Sequence, residues 1–170
     1  TGADPIMPPI KGIDEDFVVG ANDLLTNKKS YGKKVVVVGA GLVGCETACH
    51  CAEKAEEVTI IERLPEILMT TVHCENNDQA LRQLIKDCNI KPITNASVIE
   101  FKDNSVVYQV DGVKKVIEAD TVAIAAGYRS RTSLYDQLNG KIDCDIVGDA
   151  ETPDNILKAV HRGFNSVRCI

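Results

Sequence analysis

Three glycines and one glutamate are the residues of this sequence whose types and spacing could do chemistry. Gly39, Gly41 and Gly44 follow the apolar run Val35 to Val38, and Glu62 stands 18 residues after the last of these glycines. A glycine turn lets backbone N–H groups approach a phosphate, and an acid at this distance can accept hydrogen bonds from ribose hydroxyls. The spacing therefore predicts a dinucleotide-binding site.

The segments around these residues carry the patterns of the elements that must hold them in place. Val35 to Val38 predicts a strand, the stretch after Gly44 predicts a helix, and Val58 to Ile61 predicts a second strand that ends at Glu62. The first glycine permits a tight turn, and the second keeps side-chain atoms away from the pyrophosphate. The third lets the helix pack closely on the strand, so that the positive end of its dipole faces the phosphates.

Glu62 also indicates which dinucleotide fits. A carboxylate beside the adenosine ribose would repel a 2′-phosphate, which favours NAD(H) over NADP(H). Arg63 is adjacent and could offset that preference. Two alternatives stay open from the pattern alone: an α/β domain that binds no nucleotide, and an S-adenosylmethionine site, which also uses a glycine turn and a later acid.

Bulk properties exclude several classes of partner. The 170 residues suffice for one domain, with or without appendages, and the net charge of −6 without a basic stripe argues against nucleic acid. No apolar stretch approaches the roughly 20 residues of a membrane span, and the polar, proline-rich start does not predict a signal peptide. Because the chain begins at Thr1 without an initiator Met, we expect it to be part of a longer polypeptide.

The cysteines and histidines do not form a recognisable centre. The seven cysteines include no Cys-x-x-Cys pair, and Cys45, Cys49 and Cys51 share one predicted helix. We expect free thiols in a reducing cytoplasm, with no metal site. Three isolated histidines are expected to be structural or at the surface: His50, His73 and His161. No general acid, nucleophile or other catalytic residue is predicted.

The second half of the sequence predicts a β-meander within an α/β domain. Three short strands are separated by Asp103-Asn104 and Asp111-Gly112, which are typical turn pairs. We expect a parallel sheet of about four strands with this meander on one side. A short helix at 21–25 is predicted before the first strand–helix–strand unit. After that unit the predicted elements are a helix at 76–88, three meander strands at 96–101, 105–110 and 114–118, two further strands at 121–126 and near 143–147, and a last helix at about 153–168.

Two longer motifs carry a family resemblance. GKKVVVVGAGLVGCETA, from Gly32 to Ala48, and ERLPEIL, from Glu62 to Leu68, resemble the C-terminal region of NADH:flavin oxidoreductases of the Old Yellow Enzyme-like group. That group includes 2-enoate and 2,4-dienoyl-CoA reductases and trimethylamine dehydrogenase. The opening Thr1-Gly2-Ala3 resembles the segment that leaves the FAD domain, and the stretch from Asp145 to Ala150 is similar to a second flavin motif.

The resemblance implies a fold and a division into domains. It implies an α/β fold with a Rossmann-like parallel sheet and a three-stranded β-meander, as in NAD domains of the glutathione reductase type, plus remnants of an FAD domain. Residues 1–30 would be a partial FAD-domain segment or linker, 31–128 the NAD(H)-binding domain, and 129–170 a second partial FAD-domain segment. FAD, FMN and an iron–sulfur cluster are expected only in the full-length protein, whose FAD and FMN-barrel domains would be the partners of this chain.

The resemblance also implies roles for single residues. The backbone of Leu42 and Val43 would face the pyrophosphate that the glycines hold, and Glu46 would lie near the nicotinamide carboxamide. Ala126 and Gly127 would approach the nicotinamide ring from the other side.

At two places the family's pattern or the role that it implies does not carry over fully to this sequence. Gly148 and Asp149 match a motif that contacts the FAD ribityl chain in the family, but Asp149 is expected to face solvent here. The family continues after the nicotinamide strand with Arg-x-Pro-Asn. Here Arg129-Ser130-Arg131-Thr132 lacks that proline, and either arginine could be solvated or touch a phosphate.

The predicted function is that of the NADH-binding domain of a flavin-dependent oxidoreductase, which positions the nicotinamide for hydride transfer to FAD. On its own the chain is expected neither to retain FAD nor to be active. The alternative is a non-catalytic NAD(H)-binding module that senses redox state. The sequence leaves the formation of a homo-oligomer open.

Overall fold

The computed structural model describes residues 1–69 and 75–168, so the predictions for His73, Cys74 and Cys169 lie outside the described residues. These residues form two compact units, Met7–Ala126 and a second unit made of Thr1–Ile6 with Gly127–Ile170. Within the described ranges no helix has both the length and the apolar content that crossing a bilayer requires.

The strands are β1 (Ala3–Pro5), β2 (Val18–Gly20), β3 (Lys34–Val38), β4 (Glu57–Ile61), β5 (Lys91–Ile93), β6 (Ala96–Lys102), β7 (Ser105–Val110), β8 (Val113–Glu118), β9 (Thr121–Ile124) and β10 (Tyr128–Ser130). The helices are α1 (Ala21–Leu25), α2 (Leu42–Ala52), α3 (Glu75–Asp87), α4 (Ser133–Leu138) and α5 (Ile156–Arg168). In the first unit strands and helices alternate from β2 to β5, and the strands β6 to β9 then follow without a helix between them.

A parallel sheet of five strands, in the order β2-β9-β3-β4-β5, is the centre of the first unit. Its inner strands are continuous runs of branched residues buried on both faces, as parallel strands covered on two sides require. The sequence predicted about four strands. The structure adds β2 and β5, each of 3 residues, which are too short to show a period.

Two hydrophobic clusters cover the two faces of this sheet. Val35 and Val37 pack with residues of α2 and α3, whereas Val36 packs with Phe101 and Val106 of the meander. Successive side chains of a strand point to opposite faces, so one strand serves both clusters. The unit therefore has three layers: helices, parallel sheet and meander.

The meander is an antiparallel sheet in the order β6-β7-β8. Its first turn places Asp103 and Asn104 at φ of 50° and 52°, and its second places Asp111 and Gly112 at 50° and 77°. Asp, Asn and Gly tolerate positive φ, and tight hairpins between twisted strands require it. The predicted meander and its turns are confirmed.

The second unit contains a two-stranded antiparallel sheet of β1 and β10, together with α4 and α5. Arg131 donates to both carboxylate oxygens of Asp4 and so forms an ion pair at the surface, a contact that the sequence analysis did not predict. The predicted strand near 143–147 is wrong, because these residues pair with no other strand in the described part of the chain. A segment becomes a β-strand only when a neighbour satisfies its backbone.

Helix α5 begins at Ile156, three residues later than predicted. The Asn155 side chain accepts a hydrogen bond from the Lys158 N–H at 3.0 Å, which is the geometry of an N-cap. The sequence placed the start at Pro153, and the capping asparagine sets the observed boundary.

Candidate functional site

The glycine turn joins the end of β3 to the start of α2. Gly39 has φ of +103°, and a Cβ there would lie 2.4 Å from the carbonyl oxygen of Ala125. A Cβ at Gly44 would lie 2.0 Å from the carbonyl oxygen of Gly39. Both positions therefore exclude any side chain, and the helix starts in direct contact with the turn.

The first turn of α2 presents backbone donors at the carboxyl edge of the sheet. Its N-cap residue, Gly41, has no side chain that could cap the helix, and the N–H of Cys45 makes the first bond, to the Gly41 carbonyl at 3.0 Å. The N–H groups of Leu42 and Val43 precede that bond and have no partner within the helix. Such a helix start, with its positive dipole end, favours an anion.

Glu62 lies directly after β4 and contacts this turn. Its Oε2 accepts a hydrogen bond from the N–H of Ala40 at 2.6 Å, and its Oε1 accepts one from the N–H of Leu64 at 2.8 Å. The carboxylate is half-buried, whereas the neighbouring Arg63 is exposed. The structure thus brings together the glycine turn and the acid that the spacing predicted to be neighbours.

Ala40 is bound on its carbonyl side as well. The N–H of Leu68 donates to the Ala40 carbonyl at 2.7 Å. Leu68 is 2% exposed and has φ of 64°, an unusual conformation for a bulky side chain. The sequence analysis missed this contact, because nothing in the spacing of ERLPEIL indicates that its second leucine returns to the glycine turn.

The residues predicted to border the nicotinamide lie at the same edge of the sheet or follow β9 in the chain. Glu46 is exposed on α2, and the N–H of Ala125 donates to the Val38 carbonyl at 2.9 Å, so the end of β9 adjoins the glycine turn. Ala126 is exposed immediately after β9. Gly127 opens the second unit, where its carbonyl accepts a hydrogen bond from the N–H of Ile6 at 2.9 Å.

Gly148 and Asp149 lie in the second unit, in a single 3-10 turn. Gly148 has φ of +65°, and its carbonyl accepts a hydrogen bond from Arg162 at 3.5 Å. Asp149 is exposed and accepts a hydrogen bond from the N–H of Asp154 at 3.3 Å. The carboxylate therefore helps to set the turn that leads toward α5.

The cysteines of α2 have the electrostatics of packed thiols. Burial raises the pKa of Cys45 to about 12 and that of Cys51 to about 11. Thiols with such pKa values are protonated at neutral pH and are poor nucleophiles. In the part of the chain that the structure describes, no group of His, Cys, Asp or Glu has the arrangement of a metal site.

The chain is similar in sequence to known oxidoreductases. Residues 1–156 match the family model described as pyridine nucleotide-disulphide oxidoreductase. The chain is 33% identical over 172 residues to a cinnamate reductase of Clostridium sporogenes, covering 100% of this chain and 26% of that protein. It is 36% identical over 171 residues to an NADH oxidase of Thermoanaerobacter brockii, covering 96% of this chain and 26% of that protein.

A solved structure shows the same fold. The structure of a 2-naphthoyl-CoA reductase in complex with 2-naphthoyl-CoA superposes with a TM-score of 0.85 at 31% identity, covering 96% of this chain and 25% of that one. This chain thus spans about a quarter of the length of these three proteins.

Proposed function

Because the chain belongs to the pyridine nucleotide-disulphide oxidoreductase family, we propose that it is the NADH-binding part of a flavin-dependent oxidoreductase. Its task is to hold the nicotinamide in position for hydride transfer to FAD. The observation that carries this proposal is the hydrogen bond between Glu62 and Ala40, which fixes an acid against an uncapped helix start. Membership of this oxidoreductase family also argues against the alternative of an S-adenosylmethionine site.

The pyrophosphate fits the start of α2. The two side-chain-free positions, Gly39 and Gly41, let the phosphates approach the backbone, and the N–H groups of Leu42 and Val43 would hold them. A doubly charged pyrophosphate is favoured there by the helix dipole and by donors that have no intrahelical partner. No lysine or arginine is required at this point of the site.

The adenosine ribose fits beside Glu62. Each carboxylate oxygen accepts one backbone hydrogen bond and has capacity to accept another, from a ribose hydroxyl. A 2′-phosphate at the same place would meet a carboxylate held fast by two backbone donors. This supports NADH over NADPH, and the similarity to an NADH oxidase of Thermoanaerobacter brockii agrees with that preference.

The nicotinamide end is proposed to lie between Glu46 and the residues after β9. Glu46 is exposed one turn into α2 and could accept hydrogen bonds from the carboxamide, while Ala126 and Gly127 would border the ring. The bound cofactors supply the hydride chemistry. The residues of this chain contribute binding and orientation, and none of them is assigned as an acid, base or nucleophile.

We propose that the remaining partners are parts of the same longer polypeptide. Helix α5 exposes a row of apolar side chains that a neighbouring domain would cover: Ile156, Leu157, Val160, Phe164 and Val167. Thr1–Ile6 together with residues 129–170 would be part of an FAD domain around Gly148 and Asp149, whereas β2, at Val18–Gly20, pairs with β9 in the parallel sheet. The similarity to a cinnamate reductase and a 2-naphthoyl-CoA reductase supports an enzyme of the enoate-reductase-like kind. The narrower assignment to the Old Yellow Enzyme-like group, with a 2-enoate or 2,4-dienoyl-CoA substrate, is part of the proposal.

In that assembly FMN and an iron–sulfur cluster would belong to the domains outside this chain. The isolated chain would be inactive. The described cysteines are all free thiols, which supports a reducing cytoplasm as the proposed location.

Calorimetric titration of the chain with NADH and with NADPH tests the proposal. We expect NADH to bind at least about tenfold more tightly, a difference of about 1.4 kcal/mol. Glu62→Ala should abolish that difference. The matched control is Glu53→Ala, because Glu53 is an exposed acid at the other end of α2. Absence of binding by both nucleotides, or equal binding that Glu62→Ala does not change, contradicts the proposal.

A further inference from the structure

A single peptide group, the one between Ile67 and Leu68, is held from both sides. Its N–H donates to the carbonyl of Ala40 at 2.7 Å, and its carbonyl accepts a hydrogen bond from Nη2 of Arg82 at 2.8 Å. Ala40 belongs to the glycine turn, whereas Arg82 lies on α3. One peptide plane thus bridges a helix and the turn that faces the cofactor.

The conformation of Leu68 shows that this peptide is kept in place by its contacts. Leu68 is buried with φ of 64°, a region that a bulky residue rarely adopts. Such a residue persists only where its surroundings over-determine the backbone, and such positions cluster at functional sites. The hydrogen bonds at the two ends of the peptide supply that restraint.

The guanidinium of Arg82 is itself oriented. Asp78, one helical turn earlier, forms an ion pair with Nε of Arg82 and lies 3.5 Å from Nη2. The carboxylate of Glu66 lies 4.0 Å from Nη1. The Arg82 side chain is 34% exposed and that of Asp78 19% exposed, so the pair is partly shielded from water. A planar guanidinium held in this way donates in a fixed direction.

The contacts continue from the peptide to the acid of the site. Ala40 accepts from Leu68 and donates its own N–H to Oε2 of Glu62 at 2.6 Å. We propose that Arg82 is a positioning residue for the adenosine-ribose end of the site, acting on Glu62 through the Ile67–Leu68 peptide and Ala40. This inference rests on the proposed function, because it assigns Glu62 to the ribose.

Loss of the Arg82 donor has a defined consequence. The Ile67–Leu68 peptide loses the bond to its carbonyl, and rotation of that peptide relieves the strained φ of Leu68. Ala40 then loses its donor from Leu68, so the hydrogen bond from the Ala40 N–H to Oε2 of Glu62 is weakened and the Leu64 N–H remains as the one firm restraint on the carboxylate. The affinity for an adenosine ribose falls, and the discrimination against a 2′-phosphate falls with it.

The test uses ADP-ribose and 2′-phospho-ADP-ribose as calorimetric ligands for the full 170-residue chain. For Arg82→Met we expect about tenfold weaker binding of ADP-ribose and a smaller ratio between the two ligands. The matched control is Lys86→Met, which removes an exposed cation from the same helix and should change neither quantity by more than about twofold. Asp78→Asn keeps Arg82 but loosens it, so we expect a smaller loss in the same direction.

A second measurement needs no ligand. The amide proton of Ala40 is bonded to a carboxylate, so its NMR chemical shift reports the Glu62 contact directly. We expect this shift to move upfield in Arg82→Met and partly in Asp78→Asn, and to stay unchanged in Lys86→Met. If Arg82→Met does not fold, Asp78→Asn decides both measurements.

The outcomes separate the two proposals. An unchanged Ala40 shift, or a loss of affinity with the ligand ratio unchanged, overturns the role of Arg82. Failure of the wild-type chain to bind either ligand overturns the proposed function, and the Ala40 shift still decides whether Arg82 orients Glu62.

Discussion

Oε2 of Glu62 lies 2.6 Å from the backbone nitrogen of Ala40 and accepts its hydrogen bond. The contact joins the residue after β4 to the turn after β3, two segments that are neighbours because β3 and β4 pair in parallel from Lys34↔Glu57 to Val38↔Ile61. The register of the β3–β4 pairing therefore determines the position of the Glu62 carboxylate. A slip of one residue would carry the carboxylate to the other face of the sheet and away from the turn.

Glu62→Ala should destabilise the chain as well as weaken binding. It leaves two N–H groups, those of the buried Ala40 and the half-buried Leu64, without their acceptor. Each such group costs about 1–3 kcal/mol, and solvent access places this site at the lower end. Urea unfolding measures the change in the free energy of unfolding. A Glu62→Ala variant as stable as Glu53→Ala would show that these bonds contribute nothing.

Gly44→Ala and Gly163→Ala should have opposite effects. A Cβ at Gly44 would lie 2.0 Å from the backbone oxygen of Gly39, whereas a Cβ at Gly163, within α5, would meet nothing within 4 Å. We expect Gly44→Ala to cost more than about 2 kcal/mol and to abolish nucleotide binding. Gly163→Ala should be neutral or stabilising by up to about 1 kcal/mol, from its better helix propensity. Thermal melts of both variants compare them, and equal effects would contradict the close packing at Gly44.

Stability should fall in alkaline solution. Burial raises the pKa of Cys45 from 9.0 to about 12 and that of Cys51 from 9.0 to about 11. The folded state thus keeps protons that the unfolded state releases, so this contribution is complete below pH 9 and is lost as pH rises toward 11 and 12. Urea unfolding at pH 8 and pH 10.5 should show the loss, and Cys45→Ala with Cys51→Ala should reduce it. A pH-independent unfolding free energy would contradict the burial of these thiols.

The exposed face of α5 should govern self-association of the isolated chain. Val160 is 60% exposed and Phe164 57% exposed, so replacing both with lysine removes apolar surface without opening a core. We expect the melting temperature to stay within about 2 °C and concentration-dependent association in sedimentation to decrease. Lys158→Gln, on the same helix, is the control. Association that the double variant leaves unchanged would mean that another surface is responsible.

The parts of the site that were predictable from sequence are those encoded in short segments. The glycine turn and Glu62 follow from spacing, because one strand–turn–helix–strand unit contains them all. The meander turns followed from Asp103-Asn104 and Asp111-Gly112, whose tolerance of positive φ is local chemistry. The assignment of the glycine turn and Glu62 to a bound cofactor stays a prediction.

Other features depend on contacts between distant segments and left no local signal. The two hydrogen bonds that hold the Ile67–Leu68 peptide come from Arg82 and go to Ala40, which lie on either side of this peptide in the sequence. The strands β2 and β5 are short, and their pairing rather than their composition makes them strands. Asp143 to Val147 shows the reverse case, because it has a strand-like composition but pairs with no strand among the described residues.

The order β2-β9-β3-β4-β5 has a consequence for biosynthesis. Strand β2 is made early, but its neighbour in the sheet is β9, which is inserted between β2 and β3. As the chain leaves the ribosome, β3 and β4 can meet soon after both have emerged, whereas β2 must wait until Thr121–Ile124 has followed. Closing so long a loop is slow, and a nascent chain stalled before that point exposes one side of β3 to other unfinished chains. A truncation before Thr121 would therefore leave the glycine turn encoded but would remove β9, the strand that pairs with β3 on the side opposite β4.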